Sequence, residues 1–150
     1  PIVLGVLVGG WLGARQQRVL AWIWVSGLVG NSLIAHGLKQ FFRRERPVFE
    51  APLLVENNFS FPSGHAMTSI LLYGLLAYVL SRQLPAYRAI HRHFIVWSVT
   101  FLGGLIGTSR LVLGVHYPSD VLAGWSVGSA WLAFLVLLAE GLRGRFRLSR

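Results

Sequence analysis

From Val19 to Leu38 the chain runs for twenty residues without a formal charge. Coiled as an α-helix rising about 1.5 Å per residue, that run is about 30 Å long, the thickness of a bilayer's hydrocarbon core. Hydrocarbon offers no partner to a backbone N–H or C=O, so a spanning segment must satisfy its own as a helix or close into a barrel. An unbroken apolar run of this length suits the helix. Three more runs follow, His65–Leu80, Phe94–Val112 and Val121–Ala139. Pro1–Ala14 is apolar but too short to span and reads as the tail of a partial span. Composition agrees: 54% of residues are hydrophobic and 13% charged, where a soluble domain carries about 25% charged residues. The expected fold class is all-α, an integral-membrane helical bundle with four complete spans and one partial span, in a single domain over residues 1–150. Because the chain opens at Pro1 inside an apolar run, one or more N-terminal spans are expected to be missing. No basic region precedes Pro1, so no signal peptide is expected.

Alternating spans sort the connections onto two sides. Arg15, Arg18, Arg82, Arg88, Arg92, Arg143, Arg145, Arg147 and Arg150 share one side with a single acid, Glu140. By the positive-inside rule this side is cytoplasmic. The other, periplasmic or extracellular, takes Lys39–Pro62 and Ser109–Asp120, and carries Lys39, Arg43, Arg44, Arg46 and Arg110 with no topological need for them. Cations at span ends on that side call for an anion. Side chains reaching up to lipid phosphates are the competing explanation, apt for Arg43 and Arg44. The net charge of +9 does not point to nucleic acid, because the basic residues are scattered between apolar runs and not gathered on one face. With no cysteine there is no disulfide framework and no thiolate metal site.

Three motifs fall on that second side. Ser109–Asp120 holds Arg110, His116 and Asp120. A helix starting near Pro118, a favourable first helical residue, puts Asp120 in its first turn. The carboxylate can then fold back to one nitrogen of His116, fixing the tautomer and freeing the other nitrogen to attack. Arg110 would stand at the same mouth as an anion-binding fork. In Phe59–His65, Ser63 is a natural N-cap, Gly64 permits close backbone approach at a helix start, and His65 stands at the rim, able to protonate a leaving oxygen. In Lys39–Pro47, Lys39 and Arg46 are seven residues apart, two helical turns, and could clamp a phosphoryl group from one face, with Pro47 ending the helix. Each motif has a plainer reading as cap, loop histidine or span-flanking charge, but all three converge on one membrane face. Outside them, Asn31 and His36 are expected to make helix–helix hydrogen bonds. His91 and His93 read as interfacial, and most of the six Trp as interfacial or lipid-facing.

Together, Lys39-x6-Arg46-Pro47, Pro62-Ser63-Gly64-His65 and Ser109-Arg110-x5-His116-x3-Asp120 resemble the three signature motifs of the type 2 phosphatidic acid phosphatase superfamily, over about Val19 to Ala139. The wording from Gly114 to Trp125 looks most like bacterial membrane members, which typically have six spans. The resemblance implies a lipid phosphatase, metal-independent and without a cofactor, in the bacterial cell membrane. It implies His116 as the nucleophile that becomes a phosphohistidine, Asp120 orienting it, and His65 protonating the leaving group and then activating water. Lys39, Arg46, Ser63, Gly64 and Arg110 would hold the phosphate oxygens. Glu45 departs from the usual neutral residue before Arg46 and would weaken phosphate binding if it pointed inward. The implied partner is a membrane lipid substrate: phosphatidate, phosphatidylglycerol phosphate, undecaprenyl diphosphate or lipid A phosphate. The alternatives are a lipid-to-acceptor phosphotransferase and a non-catalytic phospholipid-binding module.

Overall fold

The structure, a computed structural model, describes residues 2–48, 56–83 and 89–148. It is built from five helices, α1 (Ile2–Ala14), α2 (Arg18–Phe42), α3 (Gly64–Gln83), α4 (Ala89–Val112) and α5 (Pro118–Leu148), with no strand among the described residues. The last four contain segments long and apolar enough to cross a membrane, and α1 is a shorter apolar helix. Glu50, Pro52, Pro85, Arg88 and Arg150 of the predicted connections lie outside the described residues, as do the side chains of His91, Arg92, Arg143, Arg145 and Arg147.

The ends of the helices have local causes. At the C-terminus of α2, Arg43 takes the left-handed conformation (φ 46°) and donates its backbone N–H to Lys39 O at 3.0 Å, the geometry of a C-cap. The helix therefore runs past Leu38 but stops at Phe42, before Pro47. The two-turn reading of Lys39 and Arg46 is corrected here: Lys39 is helical, Arg46 lies on the non-helical segment beyond the cap, and helical periodicity does not relate them. At the same end of the fold, α5 begins at Pro118 with Asp120 in its first turn.

Helix α3 is central, packing against α2, α4 and α5, while α1 packs on α2. The α3–α5 crossing is close because Gly124 and Gly128 face it. A Cβ on Gly124 would lie 2.6 Å from Ser63 O, and one on Gly128 2.8 Å from Met67 O. Small residues four apart allow such backbone approach in lipid, where dispersion and not the hydrophobic effect holds helices together. Three tryptophans correct the expectation of lipid-facing rings: Trp24 Nε1 donates to Gly5 O (2.8 Å), Trp131 Nε1 to Gly27 O (3.0 Å) and Trp125 Nε1 to Gly103 O (3.3 Å). Each indole thus pairs its only donor with the free lone pair of a glycine carbonyl on a neighbouring helix. Trp22 and Trp97 are exposed, in keeping with that expectation.

The apolar core, including Leu12, Leu20, Ile23, Trp24, Leu71, Leu75 and Leu135, sits toward the α1–α2 turn. Glu140 is there too, paired with Arg82 and accepting from Tyr78 Oη at 2.5 Å. The opposite end, where α2 finishes and α3 and α5 begin, is polar.

Candidate active site

The polar end is assembled around Asp120, whose carboxylate is completely buried. Its Oδ2 accepts from Tyr117 N at 2.9 Å and from Ser60 Oγ, and lies 3.4 Å from His116 Nδ1. Its Oδ1 accepts from Arg44 Nη1 at 2.9 Å. A buried carboxylate with one histidine contact would be badly under-satisfied, and these donors supply what it needs. Arg44 is itself fixed, donating to Ser119 Oγ at 2.7 Å and lying 4.1 Å from the centre of the Tyr117 ring. Backbone bonds lock the frame: Ser60 N donates to Arg44 O (2.8 Å) and Ser63 N to Asp120 O (2.9 Å).

His116 follows a tight turn in which Gly114 takes φ 70°, a conformation costly for a residue with a Cβ. Because the carboxylate only accepts, the hydrogen belongs on Nδ1 and the lone pair on Nε2. Nε2 points toward Arg46, 3.4 Å from Nη1. Burial, with the Arg46 and Lys39 cations adding to it, pushes the His116 pKa down to about 4 against the pull of Asp120. Relative to a free imidazole this disfavours the cation by roughly 3 kcal/mol, so the His116 imidazole is neutral at pH 7.

Arg46 is held from several directions. Nη1 donates to Val115 O (2.7 Å), Nε to Asn58 O (2.7 Å), and Nη2 to Glu56 Oε2 (2.6 Å) and to Asn58 Oδ1. Lys39 Nζ donates to Phe59 O, which Arg46 Nη2 also approaches at 3.5 Å. The two cations thus meet through the segment before α3. Glu45 is exposed.

Lys39, Gly64, His65 and His116 line one cavity of about 720 Å³. Its wall continues between the helices through Asn31, Thr68 and Tyr73 to Leu4, Leu28, Leu72 and Ile106, so a polar mouth leads into an apolar trough. Arg46 adjoins the mouth through His116. Two predicted phosphate ligands do not line this cavity. Ser63 is buried beneath the mouth, with Oγ 3.5 Å from Ala66 N in the capping position. Arg110 is half-buried, its Nε 3.4 Å from Ser109 Oγ; its cation is the largest electrostatic influence on His65, so it faces the rim of the mouth from α4.

Sequence reasoning missed Arg44, Ser60, Glu56 and Asn58. Arg44 stands in the sequence only as one of the cations awaiting an anion, with lipid phosphate as the competing partner, yet it pairs with a carboxylate 76 residues away, a contact no local spacing announces. Of the intramembrane polar residues, Asn31 does bridge helices, its Nδ2 donating to Thr68 Oγ1 at 2.9 Å. His36 is exposed beside Gln40 and Glu45 and bridges none.

The PAP2 superfamily model matches residues 20–143. Phosphatidylglycerophosphatase B of Bacillus subtilis (strain 168) is 42% identical over 117 residues, covering 78% of this chain and 56% of that protein. A lipid A 1-phosphatase of Rhizobium johnstonii is 32% identical, over 74% of this chain and 44% of its own length. The chain thus spans about half the length of these curated relatives. The crystal structure of a transmembrane PAP2 type phosphatidylglycerolphosphate phosphatase from Bacillus subtilis superposes with a TM-score of 0.76 at 34% identity, covering 96% of this chain and 69% of that one.

Proposed function

The chain belongs to the PAP2 superfamily, and on that premise we propose that it hydrolyses a lipid phosphate or diphosphate monoester through a phosphohistidine, without a metal ion, at the outer face of the membrane. The observation that carries this reading is the meeting of His116–Asp120, His65 and Lys39 on one cavity whose far half is apolar. His116 Nε2 attacks phosphorus and the ester P–O bond breaks. His65 gives its proton to the departing oxygen. His65 then takes a proton from water, the resulting hydroxide breaks the P–N bond, and inorganic phosphate leaves with His116 neutral again. Lys39 and Arg46 supply the positive charge that the non-bridging oxygens require in the transition state. The trough takes the lipid chain. Phosphatidylglycerol phosphate is the first substrate to test, because the relative at 42% identity is named for it. Undecaprenyl diphosphate, phosphatidate and lipid A phosphate complete the panel.

The test is phosphate release in EDTA by the protein in lipid nanodiscs, wild type beside His116→Ala, with trapping of labelled phosphate on the protein. Metal-independent release that vanishes in the variant, with label on the wild type alone, is expected. Release that survives His116→Ala, or that needs a divalent cation, would sink the mechanism. Transfer of phosphate to an added alcohol without net release would establish the transferase, and lipid binding without release the binding module.

A further inference from the structure

Asn31 and Thr68 lie in the cavity wall below the mouth, where the phosphoryl chemistry makes no use of them. Along α2, Leu28, Asn31, Ala35 and Lys39 recur at helical spacing, and along α3 so do His65, Thr68 and Leu72, so two stripes face each other across the cavity. Asn31 is 2% exposed. Its Nδ2 is spent on Thr68 Oγ1. Its Oδ1 is buried and without a partner, the one such side-chain atom among the described residues. A buried acceptor left unpaired is costly enough that a native fold keeps few of them.

The depth of this acceptor says what it would meet. Thr68 lies three residues beyond His65 on α3, about 4.5 Å along the axis. With His65 facing the departing oxygen, Asn31 stands where the next polar group of the leaving alcohol falls. We propose that Asn31 Oδ1 accepts a hydrogen bond from a free hydroxyl on the carbon adjacent to the phosphate-bearing CH2, so that the cavity selects phosphate monoesters of polyol head groups. This rests on the phosphatase reading above and sharpens it. An acylated oxygen at that carbon has no hydrogen to give, and a prenyl chain has no oxygen there, so both leave Oδ1 unpaired.

The test compares kcat/KM for phosphatidylglycerol phosphate and for its analogue with the head-group secondary hydroxyl replaced by hydrogen. Wild type is expected to favour the hydroxylated lipid by about 10- to 100-fold. Asn31→Leu, close in volume, brings that ratio near one, and Thr68→Val, which frees the amide to turn, lowers it part of the way. Equal wild-type rates on the two lipids overturn the subsite and leave the phosphatase reading standing, as does a ratio unchanged in Asn31→Leu. Release from neither lipid removes the phosphatase reading and the subsite together. The wild-type comparison needs no variant, so a misfolded Asn31→Leu does not shelter the proposal.

Discussion

His116 and His65 are the same residue type under different constraint. His116 is buried, pinned on one nitrogen by Asp120 and faced on the other by Arg46; His65 is exposed at the cavity mouth. The buried one is kept neutral, so His116 should titrate near pH 4 in a nitrogen-15 NMR experiment on histidine-labelled protein. Arg46 pushes that value down and Asp120 pulls it up, so Arg46→Gln should raise it and Asp120→Asn lower it. A titration near 6.5 that ignores both substitutions would contradict the geometry. His65→Ala should cut kcat by about 100- to 10,000-fold on a lipid ester. On an ester of a good leaving alcohol such as p-nitrophenol, which needs no proton to depart, the bond-breaking step should suffer far less. Because both esters share the later hydrolysis of the phosphoenzyme, the comparison is made on the first turnover of alcohol release, and an equal loss there would argue against His65 as the acid. The histidines and Asp120 were legible because four residues and a helix start link His116 to Asp120 and a cap places His65. The donors that keep Asp120 in place were not, since Ser60 and Arg44 reach it across 60 and 76 residues, and Arg43 and Arg44 look alike in the chain.

Whole helices were easier to read than their ends. Length and unbroken apolar character identify a span, whereas the stop at Phe42 depends on a left-handed Arg43, which propensity does not favour. Also unread was the Gly124–Gly128 pair, although its spacing is written in the sequence. This pair brings the start of α3, and with it His65, against the start of α5, and with it His116. Gly128→Ala places a methyl 2.8 Å from Met67 O, which must move α3 by some tenths of an ångström. Reacting groups displaced by about 1 Å lose on the order of 100-fold in rate, so this variant should lose about 10-fold or more in kcat. Gly141 on the same helix faces open space, and Gly141→Ala should leave kcat unchanged and the thermal midpoint no lower. Equal behaviour of the two variants would show that the crossing does not set the geometry.

Across the whole molecule, chemistry and packing occupy opposite ends. The core of Leu20, Trp24, Leu75 and Leu135 lies by the α1–α2 turn, and the cations outside the arginine-rich side gather where α2 ends. The absence of cysteine makes the orientation directly measurable. With a single cysteine introduced, Asn57→Cys should react in intact cells with a membrane-impermeant maleimide, while Gln16→Cys should react only after permeabilisation. The opposite pattern would turn the active face inward. The trough beneath the mouth has a further consequence for how such an enzyme senses supply. On the proposed lipid-phosphatase reading, its apolar wall from Leu28 to Leu72 would take a ligand that stays in its leaflet, so the relevant dose would be molecules per neighbouring lipid and not molecules per litre. Turnover would then follow surface mole fraction: inert lipid added at constant total substrate would starve the enzyme, and a local enrichment in the leaflet would feed it with no change in the amount present.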